Sequence, residues 1–310
     1  MSDEDPQPRP QPRPRSRPQS DGGVETARAT EVRARTADGS DGTPGWRQVA
    51  IVAGQEYRLS VRNRWAFALT GLFALLSVLL TVFGGSSLGP ARVDAIVVSL
   101  AQLATYLLPL AALVYGFDSV VGADEDGWLD VVFALPVPRS RVVLGTYLGR
   151  AVTLTAATLV GFGLAGAVLV AGAGLAGWPL FVTFLFSAVG VGLAFLSVSV
   201  LVSTLAAEKT HALGGVLLVW VWFVFVHDLV ALGTVASLRL PDAVLSAFVL
   251  ANPADVFRVL VLTGAETTGG GVAAVFAETG LSVPVLVLAL LAWTLVPVLL
   301  AGRLVRRRSI

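Results

Sequence analysis

Charge cuts this chain into apolar runs of bilayer length, and nothing else in it limits the fold as much. Uncharged or nearly uncharged runs cover about Ala66–Phe83, Ala95–Phe117, Ala151–Val170, Pro179–Leu201, Ala212–Leu232 and Leu281–Leu300. A helix needs about 20 apolar residues to cross the hydrocarbon core. Within lipid the backbone must satisfy its own polar groups, which runs of this length do as helices. The expectation is an all-α, polytopic membrane protein with six transmembrane helices. Composition agrees: 55% of residues are hydrophobic and 14% charged, against about 25% charged in soluble domains. The net charge of +1 gives no general attraction to nucleic acid.

The termini and the loops supply the orientation. Basic residues crowd one side of the spans: Arg47, Arg58, Arg62 and Arg64 before the first, Arg139, Arg141 and Arg150 between the second and third, Lys209 before the fifth, and Arg303 and Arg306–Arg308 after the sixth. The other side holds Arg92, Arg239 and Arg258. By the positive-inside rule, the N- and C-termini are expected in the cytoplasm. Residues 1–45 are rich in Pro, Arg, Asp, Ser and Gly with few large apolar side chains. Such a segment cannot bury enough surface to offset its ordering entropy, so it reads as a disordered cytoplasmic tail. From Trp46 to Trp65 apolar residues alternate with Arg47, Glu56, Arg58, Arg62 and Arg64, the pattern of an amphipathic helix lying at the interface.

One long charged interval breaks the first half of the body. It runs from Gly122 to Arg150, within a loop taken as residues 118–150. Asp124, Glu125, Asp126 and Asp130 open it, Pro136 and Pro138 interrupt it, and Arg139, Arg141 and Arg150 close it. A charged residue at mid-membrane costs about 2.5–3.5 kcal/mol, so this segment belongs in water or among headgroups. Acids suit a helix start, and the prolines set a rigid corner. The stretch after the fifth span, residues 234–280, reads as a second non-spanning segment, on the opposite side. Within it Asn252–Pro253 turns the chain, Asp255 opens a short helix, and Arg258 lies three residues on, over the same face.

Several signals for chemistry fall short. Gly161–Phe162–Gly163–Leu164–Ala165–Gly166 fits the dinucleotide fingerprint in letters only, since no strand precedes it and no acid follows at the needed distance. Small residues at Gly161, Ala165, Gly190 and Gly192 suit close helix packing instead. No phosphate-binding GxxxxGK[ST] loop occurs, so the chain has no such route to nucleotide hydrolysis. With no cysteine and Met1 the only methionine, thiolate and thioether metal chemistry is absent. His227–Asp228 lies in the outer part of the fifth span. It reads either as a functional intramembrane pair or as a mutually satisfied polar pair facing the bundle; no metal site is expected there, because nothing nearby in sequence completes one.

The charged interval resembles the first cytoplasmic loop of ABC-2-type transporter permeases. The residues that carry the likeness are Asp124–Glu125–Asp126–Gly127 with Leu129, then Leu135–Pro136–Val137–Pro138–Arg139, then Leu144–Gly145 and Gly149–Arg150. The family often has Gly–Lys where this chain has Gly145–Thr146. Asn252–Pro253–Ala254–Asp255–Val256–Phe257–Arg258, together with Arg62–Trp65, is similar to the NosY subgroup, whose permeases serve nitrous-oxide-reductase maturation. The likeness covers about Trp46–Arg308 and makes 46–310 one permease transmembrane domain. It implies a homodimer that works with an ATP-binding subunit (NosF-like) and an outer copper-handling protein (NosD-like). Asp124, Glu125, Asp126, Gly127, Leu135, Pro136 and Arg139 would then meet the ATPase, and Asn252, Pro253, Asp255 and Arg258 the outer partner. The chain would hold no cofactor of its own. A general ABC-2 exporter of drugs, lipids or ions, and a non-transporting membrane scaffold, remain the other readings.

Overall fold

The computed structural model describes residues 44–84, 90–125, 138–175, 177–237, 241–265 and 280–307. Asp126, Gly127, Leu135, Pro136 and the tail through residue 43 lie outside the described residues. Gly45–Ile310 group as one compact unit. Among the described residues every regular element is a helix.

The chain enters through α1 (Gly45–Arg62) and turns at Asn63–Arg64 into α2 (Trp65–Gly84). Arg64 takes a left-handed φ of 60° at this corner. Then come α3 (Pro90–Gly116), the short α4 (Val121–Glu125), α5 (Arg139–Ala173), α6 (Trp178–Leu205) and α7 (Lys209–Val221). A π-turn, Trp222–Val226, joins α7 to α8 (His227–Ser237). Next are α9 (Asp242–Leu250), α10 (Pro253–Leu262) and α11 (Val283–Leu304).

Six stretches among the described residues are long and apolar enough to span: Trp65–Phe83, Val93–Ala123, Arg139–Ala173, Trp178–Leu205, Lys209–Thr234 and Val283–Leu304. These match the six expected runs one for one. The largest departure is the third. Its helix starts at Arg139, well before the expected Ala151, because the interval's basic end is itself helical and lies against α1.

The end of α11 sits beside the start of α5, where Arg306 donates to Ser140 Oγ at 2.8 Å. The face that carries α1 therefore also carries the end of the last span, and is called here the α1 face. On the opposite face α5 and α6 are joined by a turn without charge, in which Gly174 and Gly177 have φ of 69° and 73°. Such values favour glycine, and a Cβ on Gly177 would also strike Val93 Cγ1 at 2.6 Å.

In lipid the spans cannot be driven together by the hydrophobic effect alone, so packing and buried hydrogen bonds hold them. Phe73, Phe162 and Phe184 meet in the core, with ring centroids 5.4 and 5.3 Å apart. Gly161 has no room for a side chain against Phe73, and Gly190 lies under Leu290, as the small-residue reading required. Serines stitch the helices: Ser77 Oγ donates to the Gly161 carbonyl at 3.0 Å and Ser199 Oγ to that of Leu113 at 2.6 Å. Pro297 interrupts α11, and the neighbouring Val298 N–H donates to Ser197 Oγ at 2.9 Å.

Candidate functional site

Two polar assemblies stand out in this apolar body, one at each face. The first lies beneath α1. Gly145 and Gly149 let α1 settle on α5: a Cβ on Gly149 would meet the Ala53 carbonyl and Glu56 Cβ at 2.5 and 2.6 Å, and one on Gly145 would meet Val52. That approach brings Glu56 over Arg150. Arg150 Nε donates to Glu56 Oε1 at 2.7 Å, and its Nη1 to Asp118 Oδ1 at 2.6 Å. The same Nη1 donates to the Tyr115 carbonyl, and the guanidinium carbon lies 5.5 Å from the Tyr115 ring centre. The Tyr115 hydroxyl pairs with Ser60 Oγ of α1. One largely buried arginine, its side chain 12% exposed, thus joins α1, the end of the second span and the third span. Arg141 adds a tie, donating to Gln48 Oε1 at 2.7 Å.

The acidic end of the charged interval is anchored too. Val120 and Val121 N–H both donate to Ser203 Oγ, at 3.0 and 3.1 Å. Glu125 Oε1 accepts from the Lys209 N–H at 2.7 Å, placing a carboxylate at the open N-terminus of α7 where charge and donors favour it. Of the expected ATPase-contacting residues, then, Asp124 and Glu125 belong to the short helix α4, and Arg139 begins α5 after Pro138. Arg150, at the end of the charged interval, joins α1 and the end of the second span to α5.

The second assembly lies deeper, near the opposite face. The segment read as non-spanning folds into α9 and α10, bent by 112° about Ala251–Asn252. All of α10 from Pro253 to Val261 is buried. Its corner reaches the level of mid-span Trp293, whose Nε1 donates to the Leu250 carbonyl at 3.0 Å. Asn252 caps α10 by accepting from Ala254 N–H at 2.9 Å, as its sequence position suggests. Its amide donates outward, to the Phe223 carbonyl at 2.8 Å and to Asp255 Oδ2 at 2.9 Å. Phe223 belongs to the π-turn, where wider winding changes which carbonyls are free to accept.

His227 Nδ1 lies 2.9 Å from Asp255 Oδ2, and Arg258 Nη1 bridges Asp255 Oδ1 at 2.9 Å and Asp228 Oδ2 at 2.7 Å. Asp255 is fully buried and Arg258 nearly so. His227 Nε2, Asp228 Oδ1 and Arg258 Nε have no partner here. His227–Asp228 and Asn252–Arg258 are therefore parts of one assembly. Sequence showed each part; their meeting needs the hairpin to re-enter the bundle, and neither spacing signals that. Arg258 had been counted among the basic residues of an outer loop, and is in fact a buried counter-ion. Donor atoms of His227, Asp228 and Asp255 lie within 4.8 Å of one another, so Asp255 supplies the third donor that sequence spacing lacked. The place between the two carboxylates is already taken by the Arg258 guanidinium.

Six helices long and apolar enough to span, a sharply bent helix pair within the bundle and a helix packed along the start of the third span define a multi-pass protein of the cell membrane. The family model for ABC-2 family transporter proteins matches residues 50–309, and the chain belongs to that family. Two curated relatives narrow it. A protein of Stutzerimonas stutzeri described as "Probable ABC transporter permease protein NosY" is 38% identical over 273 residues, covering 84% of this chain and 99% of its own length. A protein of Pseudomonas aeruginosa with the same description is 36% identical over 274 residues, with the same coverage. The chain is a permease subunit of the ABC-2 class.

Proposed function

We propose that this chain is the transmembrane half of an ATP-driven complex and is itself no enzyme. A separate ATPase (NosF-like) grips residues 118–150, and both termini lie on that cytoplasmic side. Two copies of the chain pair in the membrane. The reading rests chiefly on Arg150. A segment meant to be pushed must be joined stiffly to what it moves, and Arg150 links α1 and the second and third spans within a few ångströms. Force applied at Asp124–Arg139 then reaches the bundle directly.

At the opposite face an outer copper-handling protein (NosD-like) meets the region around the hairpin. Asn252, Pro253, Asp255 and Arg258 set the shape of that surface from within, since their side chains face the bundle. The relatives' NosY description and the likeness at Asn252–Arg258 support a role in maturing the copper site of nitrous oxide reductase.

The test is purification of the tagged full chain from its native membrane, with identification of co-purifying chains and assay of ATP hydrolysis. An ATPase subunit and an outer copper protein should both appear. Asp126→Lys combined with Arg139→Glu should lower ATPase co-purification and transport into vesicles. Unchanged values for both would remove the coupling role from this segment.

A further inference from the structure

A cavity of about 430 Å³ opens beneath α1, beside the Arg150 bridge, a volume within the range that holds small ligands. Glu56, Asp118, Ser119, Arg150, Lys209 and Trp65 are among its lining residues. It lies where α1 passes into the first span, with Trp65 at that junction, the kind of position where tryptophans concentrate at the interface. Its carboxylates keep unused acceptor oxygens. Arg150 meets two carboxylates, Glu56 and Asp118, each through a single oxygen, and the second oxygen of each takes no part in that bridge. Lys209 is paired with Glu125 at 3.7 Å. Two acids, Glu56 and Asp118, and two bases, Arg150 and Lys209, line the cavity.

A second observation points to a ligand. Ser119 is 7% exposed, lines this cavity, and its Oγ has no hydrogen-bond partner. A buried hydroxyl without a partner is costly, and such groups are normally satisfied. The site therefore offers carboxylate oxygens that the bridge leaves unused at Glu56 and Asp118, and donors at Ser119 and Lys209.

We propose that this cavity binds a phosphoethanolamine group. The primary ammonium, with three N–H donors, sits on the Glu56 and Asp118 carboxylates, and the phosphate accepts from Ser119 Oγ and Lys209. A bilayer phospholipid would present this group at the right depth, and a soluble phosphodiester would present the same chemistry. A solely anionic headgroup meets two carboxylates and is disfavoured. This inference does not depend on ATP coupling.

Native mass spectrometry of the full-length chain in detergent micelles tests it, with phosphatidylethanolamine, phosphatidylglycerol and glycerophosphoethanolamine added separately. Phosphatidylethanolamine should bind and phosphatidylglycerol of equal chain length should not. Glu56→Gln should weaken the ethanolamine lipid roughly tenfold, the loss of one charge-assisted contact. Ser119→Leu, which fills the cavity and leaves the Arg150 bridge in place, should abolish binding. If that variant does not fold, Ala123→Phe fills the same space. Equal binding of glycerophosphoethanolamine would support the chemistry and assign the source to the soluble compound. Equal binding of the two lipids, or undiminished binding by the cavity-filling variant, would overturn the proposal.

Discussion

The two polar assemblies are built on the same plan and differ in what surrounds them. Each has one buried arginine held between two carboxylates: Arg150 between Glu56 and Asp118, and Arg258 between Asp228 and Asp255. Beneath α1 one acid stays 44% exposed, at Asp118, and a cavity runs alongside. In the hairpin Asp255 is fully buried, and three polar atoms around it lack partners. A buried pair loses heavily when one member is removed, because a lone charge is stranded in low dielectric. A pair at the edge of water loses less. Losing one member should therefore cost less beneath α1 than in the hairpin.

That difference can be broken in order of size. Asp255→Ala leaves Arg258 with Asp228 alone and takes a partner from both Asn252 and His227, and should cost about 3–5 kcal/mol. Thermal unfolding of the purified chain measures it, and a loss below about 1 kcal/mol would mean the hairpin is not held by charge. Arg150→Met should cost less, about 1.5–3 kcal/mol, but should cut coupling sharply. The ATPase partner would still co-purify while its hydrolysis no longer drives transport into vesicles. Gly149→Val forces a side chain into the Ala53 carbonyl and should cost about 1–3 kcal/mol. Its signature is faster protease cleavage within α1 and little change elsewhere. Glu125→Gln weakens a pair whose side chains are 38% and 37% exposed, so about 0.5 kcal/mol or less is expected. If Glu125→Gln proves as damaging as Arg150→Met, exposure does not set the cost of losing a pair on the α1 face.

Much of the fold was legible because the bilayer imposes a length, and an apolar run of that length has few alternatives. The spans were found from the absence of charge alone, and the wide one-sided distribution of arginine gave the expected orientation. What escaped the sequence were the places where charge enters the bundle. Arg139–Arg150 reads as a loop by its arginines, yet Arg141 and Arg150 find partners on α1 and the span-2 end, so the helix begins early. Glu56, Asp118 and Arg150 are far apart in the chain, and no spacing rule joins them. His227–Asp228 and Asn252–Arg258 were each singled out for charge or turn chemistry. Their union depends on a 112° bend that returns α10 into the core, and on a π-turn that no residue pattern announces.

That wide turn at Trp222–Val226 has a consequence for how the fifth span can behave. It winds one extra residue into its circuit, with the His227 N–H reaching back to the Trp222 carbonyl. Rewinding it to ordinary pitch would rotate everything beyond it by roughly 100°, the angle of one residue in an α-helix. His227 would swing off Asp255, and the Phe223 carbonyl would return to the helix ladder and leave Asn252. Straightening this helix and unbuttoning the hairpin are therefore a single event.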